Sequence, residues 1–101
     1  MKIQASSQDR PPSRILVVED DRDANDLLEQ TLTDEGYQVH QAFDGLEGLE
    51  AVSSFQPDLM LLDLMMPQMN GIELCRKLRA EPATRSLPIL LLTAKDSLTE
   101  K

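Results

Sequence analysis

An α/β domain built on a doubly wound parallel sheet is the fold class that the sequence predicts. Short unbroken apolar runs at residues 15–18, 59–62 and 89–92 are too brief for helices. They also lack the alternation of a one-sided strand, so they read as strands buried on both faces. Between them lie segments whose apolar residues recur at helical spacing. Turn residues, among them Gly36, Asp44-Gly45, Pro57 and Pro88, fall at the joins. Strands alternating with helices over 101 residues imply one domain, a parallel sheet and right-handed crossovers.

Along the chain, residues 1–14 read as a flexible polar leader, with Ser6-Ser7, Pro11-Pro12-Ser13 and no periodicity. The first strand, 15–18, leads into a helix opening at Asp21 or Arg22, with Ala24, Leu27, Leu28 and Leu32 as its apolar positions. Gly36 ends that helix where a left-handed cap is wanted. Residues 37–42 alternate as a weaker second strand with His40 toward solvent. Leu46, Leu49 and Val52 stripe a short helix to about Phe55, and Pro57 breaks the chain before the third strand, 59–62. A loop from Pro67 to Gly71 precedes a third helix marked by Ile72, Leu74, Cys75 and Leu78. Glu81-Pro82-Ala83-Thr84-Arg85 is a polar connection, and Pro88 introduces the fourth strand, 89–92, which ends at Thr93-Ala94.

The formal net charge of −8 argues against nucleic acid as a partner, because such surfaces depend on clustered Lys and Arg. No apolar stretch approaches the roughly 20 residues that span a bilayer. Residues 1–13 lack the apolar core of a signal peptide, so a cytoplasmic protein with no membrane partner is expected. Cys75 is the single cysteine, which excludes an internal disulfide and a thiolate metal site. Its place beside Leu74 and Leu78 makes it core filler.

The chemistry gathers at the strand ends. The first run delivers Glu19, Asp20 and Asp21; the third delivers Asp63; the fourth delivers Thr93. In an open parallel sheet, ligands bind beyond the carboxyl ends of the strands, so these residues should face one crevice if their strands are neighbours. Crowded carboxylates repel one another unless a cation shares the site. Oxygen donors of this kind suit Mg²⁺, which takes one or two carboxylates together with waters and phosphate oxygens. A carboxylate beside such an ion can attack phosphorus and form an acyl phosphate. Thr93 has a hydroxyl to donate to the phosphoryl oxygens. Asp23 and Asp26 read as a solvated helix start.

These residues resemble the receiver domain of two-component response regulators. The likeness is carried by Val17-Val18-Glu19-Asp20-Asp21, by Pro57-Asp58 through Asp63-Leu64-Met65-Met66-Pro67 with Gly71, and by Pro88 through Leu92-Thr93-Ala94. Order and spacing agree from residue 14 to about residue 95. The resemblance implies a flavodoxin-like receiver fold with Asp63 as the phospho-acceptor. It implies a Mg²⁺ site made by Asp20 directly, Glu19 through water, Asp63, and the backbone carbonyl of Met65. Thr93 becomes the switch residue that turns toward the phosphoryl group. Asp21 falls at the helix start, where an acid favours the N-terminal dipole, and Pro67 and Gly71 shape the loop. The implied partner is a histidine kinase or phosphotransfer protein. The implied output is a shape change passed to an effector, so the module is not an enzyme in the usual sense.

A complete receiver continues with a fourth helix, a fifth strand ending in Lys-Pro, and a fifth helix. None of these lies within the 101 residues, so residues 15–101 read as a partial receiver of four strands and three helices. The Lys of that fifth strand would contact the phosphoryl group, and Lys95 is too close to Thr93 to replace it. With those elements lacking, the fourth strand becomes a sheet edge and the first helix loses a neighbour. The chain is therefore expected either to self-associate through the fourth strand and first helix or to be a fragment of a longer protein. Ser97-Leu98-Thr99-Glu100, which opens like the next helix, favours the fragment. Competing readings are a receiver-like scaffold that is never phosphorylated and a phosphatase of the haloacid dehalogenase type. Met65 stands where that phosphatase motif needs a second acid. A dinucleotide-binding fold is opposed by Glu19-Asp20-Asp21, which occupies the place of a Gly-rich turn.

Overall fold

The computed structural model describes residues 13–63 and 71–92. Their elements run β1 (Arg14–Val18), α1 (Arg22–Asp34), β2 (Gln38–Ala42), α2 (Gly45–Phe55), β3 (Leu59–Asp63), α3 (Gly71–Ala80) and β4 (Ile89–Leu92). Every pairing is parallel, and the strand order is β2-β1-β3-β4. The chain steps from β1 outward to β2, then crosses back to place β3 on the other side of β1. That reversal makes the β1/β3 boundary the topological switch point, where open α/β sheets take their ligands.

Helices cover both faces of β1 and β3, and this is why those two strands are apolar without alternation. Leu16, Val18, Met60 and Leu62 pack with Ala51 and Val52 of α2 and Leu74 and Leu78 of α3. The opposite parity, Ile15, Val17 and Leu61, packs with Leu28 and Leu32 of α1. Gly48 lets α2 approach β1 closely: a Cβ there would lie 3.1 Å from Val18 Cγ2 and 3.6 Å from Leu74 Cδ2.

β1 begins at Arg14, one residue inside the segment that the sequence assigns to the leader. The Arg14 N–H donates to Asp58 Oδ2 (2.8 Å), and the Asp58 N–H donates to the Arg14 carbonyl (2.7 Å), which joins the starts of β1 and β3. The Arg14 guanidinium donates to the Phe55 carbonyl at 2.9 and 2.6 Å and lies 4.5 Å from the Phe55 ring centroid. His40 is exposed, as expected, and its ring packs obliquely on Phe55 at 5.2 Å. Gly36 takes φ +101°, the left-handed conformation expected of it after α1. Gln56 caps α2 in the same region at φ 55° without being a glycine. At the start of α2, Asp44 Oδ1 accepts from the Glu47 N–H (2.8 Å) while Glu47 Oε1 accepts from the Phe43 N–H (2.7 Å), a variant of the reciprocal capping box.

Several apolar residues predicted to be buried are not, among them Leu90 and Leu91 of β4, a run the sequence reads as buried on both faces but whose strand lies at the edge of the described sheet. Leu27 is 67% exposed, Leu46 65% and Ile72 55%. In α1 the core-facing stripe is buried Asn25, half-buried Leu28 and buried Leu32, spaced i, i+3, i+7. Neighbouring leucines at 27 and 28 differ by about 100° around the axis, so helical period alone does not choose between them. A polar residue within the stripe concealed the true face. The structure predicts that Leu16→Ala lowers stability by about 2–5 kcal/mol. Leu27→Ala should change it by no more than about 0.5 kcal/mol. Urea unfolding midpoints compare the two, and equal losses would mean that α1 presents its other face.

Candidate functional site

The register of β1 and β3 builds the site. Val18 lies opposite Leu62, so the next residue on each strand, Glu19 and Asp63, leaves the sheet at the same level. Glu19, Asp20 and Asp63 each bring a carboxylate oxygen to within 4.8 Å of the others. Glu19 is 3% exposed and Asp63 4%, whereas Asp20 is exposed. The pocket thus has two acids in its floor and one at its mouth. All three donors are hard oxygens, and one side is open to water. That set fits a cation such as Mg²⁺, which prefers oxygen and keeps several of its waters.

Backbone and amide groups hold the acid loop in place. Glu19 Oε2 accepts the Asp21 N–H at 2.9 Å. Asp21 Oδ1 accepts from the N–H groups of Asp23 (3.1 Å) and Ala24 (3.4 Å), so Asp21 is the N-cap of α1 and stands apart from the acid cluster. The Glu19 N–H donates to the Ala42 carbonyl at 3.1 Å and extends the β1–β2 ladder by one step. Asn25 is wholly buried, and its Nδ2 donates to the carbonyls of Glu19 and Ala42, both at 3.0 Å. Gln41 Nε2 donates to Asn25 Oδ1 (3.0 Å) and to Asp26 Oδ1 (2.8 Å). The Arg22 guanidinium lies 4.4 Å from the centroid of the Phe43 ring, a second tie between the β1–α1 and β2–α2 loops.

Asn25 is the residue that sequence reasoning missed. Its one signal was a place on the Leu28/Leu32 face of α1, where an apolar side chain is the norm. Met65, Pro67, Thr93 and Lys95 lie outside the described residues. Asp23 and Asp26 are exposed. Cys75 packs partly buried against the α2–α3 core, and burial pushes its thiol pKa up against a smaller lowering effect from Arg79. A hollow lined by Val52, Ser53, Gln56, Pro57, Ala83, Thr84 and Leu87 lies at the amino ends of β3 and β4, the edge opposite the acids. None of its lining residues is titratable. No helix among the described residues is long and apolar enough to cross a membrane.

Fold and site together define a flavodoxin-like α/β module with an acidic pocket at the switch point of its sheet. The chain belongs to the response regulator receiver family of two-component signalling: the pattern of the response regulator receiver domain matches residues 15–101. Response regulator MprA of Mycobacterium ulcerans (strain Agy99) is 49% identical over 88 residues, 87% of this chain and 37% of that protein. The chain therefore spans little more than a third of the length of such curated relatives. The crystal structure of the N-terminal domain of a response regulator receiver protein from Methanoculleus marisnigri JR1 is 44% identical with a TM-score of 0.79, covering 82% of this chain and 68% of that one. Chemotaxis protein CheY4 of Vibrio cholerae is 29% identical with a TM-score of 0.77, over 88% of this chain and 77% of that one.

The capping geometry of Asp21 predicts that Asp21→Ala costs about 1 kcal/mol of stability, while Asp21→Asn, an equally good cap, costs little. Urea unfolding of the two variants in EDTA measures the difference.

Proposed function

We propose that this chain is a phospho-accepting receiver module, in which Asp63 takes a phosphoryl group from a histidine kinase or phosphotransfer protein in the cytoplasm. The observation that carries the reading is the convergence of Glu19, Asp20 and Asp63 at the switch point of a receiver-family sheet. In the transfer, a P–O bond forms to a carboxylate oxygen of Asp63 as the P–N bond of a phosphohistidine breaks. The electron pair of the broken bond returns to the imidazole nitrogen. Asp63 ends a strand paired on both sides, so the acceptor is held rather than free to wander. Glu19 and Asp20 hold Mg²⁺ together with Asp63, and the family likeness adds the backbone carbonyl of Met65. Bound there, Mg²⁺ supplies charge neutralisation for the incoming phosphoryl oxygens. Thr93 donates its hydroxyl to the phosphoryl group; it and Met65 enter this reading through the sequence alone. Asp63 is an acceptor whose modification is the signal, and no small-molecule substrate is turned over. Exposed Leu27 of α1 and Leu90 and Leu91 of β4 support the further reading that these two surfaces meet protein, a second copy of this chain or more of a longer one.

Incubated with Mg²⁺ and acetyl phosphate, the wild type should gain one phosphoryl group by intact mass. Asp63→Asn should gain none and still unfold cooperatively. An unfolded Asp63→Asn variant would make Asp63 structural, and a folded wild type that gains nothing would favour the non-phosphorylated scaffold. Mg²⁺ should also stabilise the wild type by linkage, by about 1.4 kcal/mol at a free concentration ten times its Kd. Urea unfolding that is indifferent to millimolar Mg²⁺ would count against the pocket.

A further inference from the structure

We infer that Asn25 is a positioning residue for the acidic pocket: its amide clamps the Glu19 backbone to the end of β2 and so sets the peptide that leads into Asp20. The inference rests on the cation-binding reading of Glu19, Asp20 and Asp63.

Asn25 is 0% exposed and sits on the face of α1 that otherwise carries Leu28 and Leu32. Asparagine is a poor helix former, and its amide is costly to bury unless every polar atom is met. Its side-chain amide bonds to groups outside its own helix. Nδ2 reaches the carbonyls of Glu19 and Ala42, and Oδ1 receives Gln41 Nε2 from β2. The bond from Gln41 decides the amide orientation, because it turns Oδ1 toward the donor and leaves Nδ2 for the two carbonyls. Ala42 is the common anchor: its carbonyl accepts both the Glu19 N–H and Asn25 Nδ2. The N–H of Glu19 is thus tied to Ala42 directly, and its carbonyl is tied there through Asn25.

That carbonyl belongs to the peptide joining Glu19 to Asp20, so fixing it fixes where the Asp20 chain begins. The clamp matters because the three acids repel, and a loop free to relax would carry Asp20 away from Asp63. Holding it in place before the cation arrives removes an ordering cost from binding. A residue that merely helped α1 dock on the sheet would affect stability and leave cation affinity alone.

The test is an NMR-monitored Mg²⁺ titration of the whole chain, with urea unfolding in EDTA alongside. Asn25→Ala removes the clamp, and Asn25→Leu removes it while completing the apolar stripe. Leu32→Ala, on the same face about 10 Å along the axis, is the control for helix docking. The Asn25 variants should bind Mg²⁺ about tenfold more weakly, the range seen when the groups that orient metal ligands are removed. Leu32→Ala should lose stability and keep the wild-type affinity. Wild-type affinity in both Asn25 variants, or equal weakening in Leu32→Ala, overturns the assignment while leaving the cation site standing. A wild type that binds no Mg²⁺ overturns the cation reading and the role of Asn25 with it. Should neither Asn25 variant fold, Gln41→Met decides: it should weaken Mg²⁺ severalfold by freeing the amide, and unchanged affinity overturns the assignment.

Discussion

Parallel pairing of β1 with β3 sets Val18 against Leu62, and from that contact Glu19 and Asp63 emerge side by side although they stand 44 positions apart in the chain. Both strands are central and covered on both faces, one parity by α2 and α3 and the other by α1. Close-packed interiors resist displacement, so a side chain at the very end of such a strand is held by everything behind it. Carboxylates that would separate in a flexible loop are kept within 4.8 Å because separating them would require the core to shift.

The two edges of the sheet divide the work. At the amino edge, Arg14 hydrogen-bonds Asp58 and Phe55 and lies over the Phe55 ring, which ties the starts of β1 and β3 to the end of α2. At the carboxyl edge the chain accepts an electrostatic cost. Glu19 and Asp63 are buried together, and three contacts beside them hold the loop: Asp21 N–H on Glu19, Asn25 on Ala42, and the Asp21 cap on α1. A protein selected for stability alone would not place like charges there; sites that violate local rules in this way are where function is expected. An exposed Asp20 leaves the mouth of the site open to solvent.

Much of this was legible in one dimension. Unbroken apolar runs, helical stripes and turn residues are properties of neighbouring residues, and they located the seven elements of the described residues to within a residue or two. The acids that end β1 and β3 were visible for the same reason, since a strand that stops on a carboxylate announces it locally. What the sequence left open was decided across the fold. Leu27 faces solvent and Asn25 faces the core because the carbonyls of Glu19 and Ala42 need the Asn25 amide, a demand that helical period does not encode. β1 starts at Arg14 because Asp58, far along the chain, accepts its N–H. The meeting of the acids depends on strand order, which is chosen by the packing of whole layers. Local pattern determined which residues form strands and helices and where the carboxylates stand; only the tertiary structure decided which of them touch, because touching is set by hydrogen bonds and burial between segments distant in sequence.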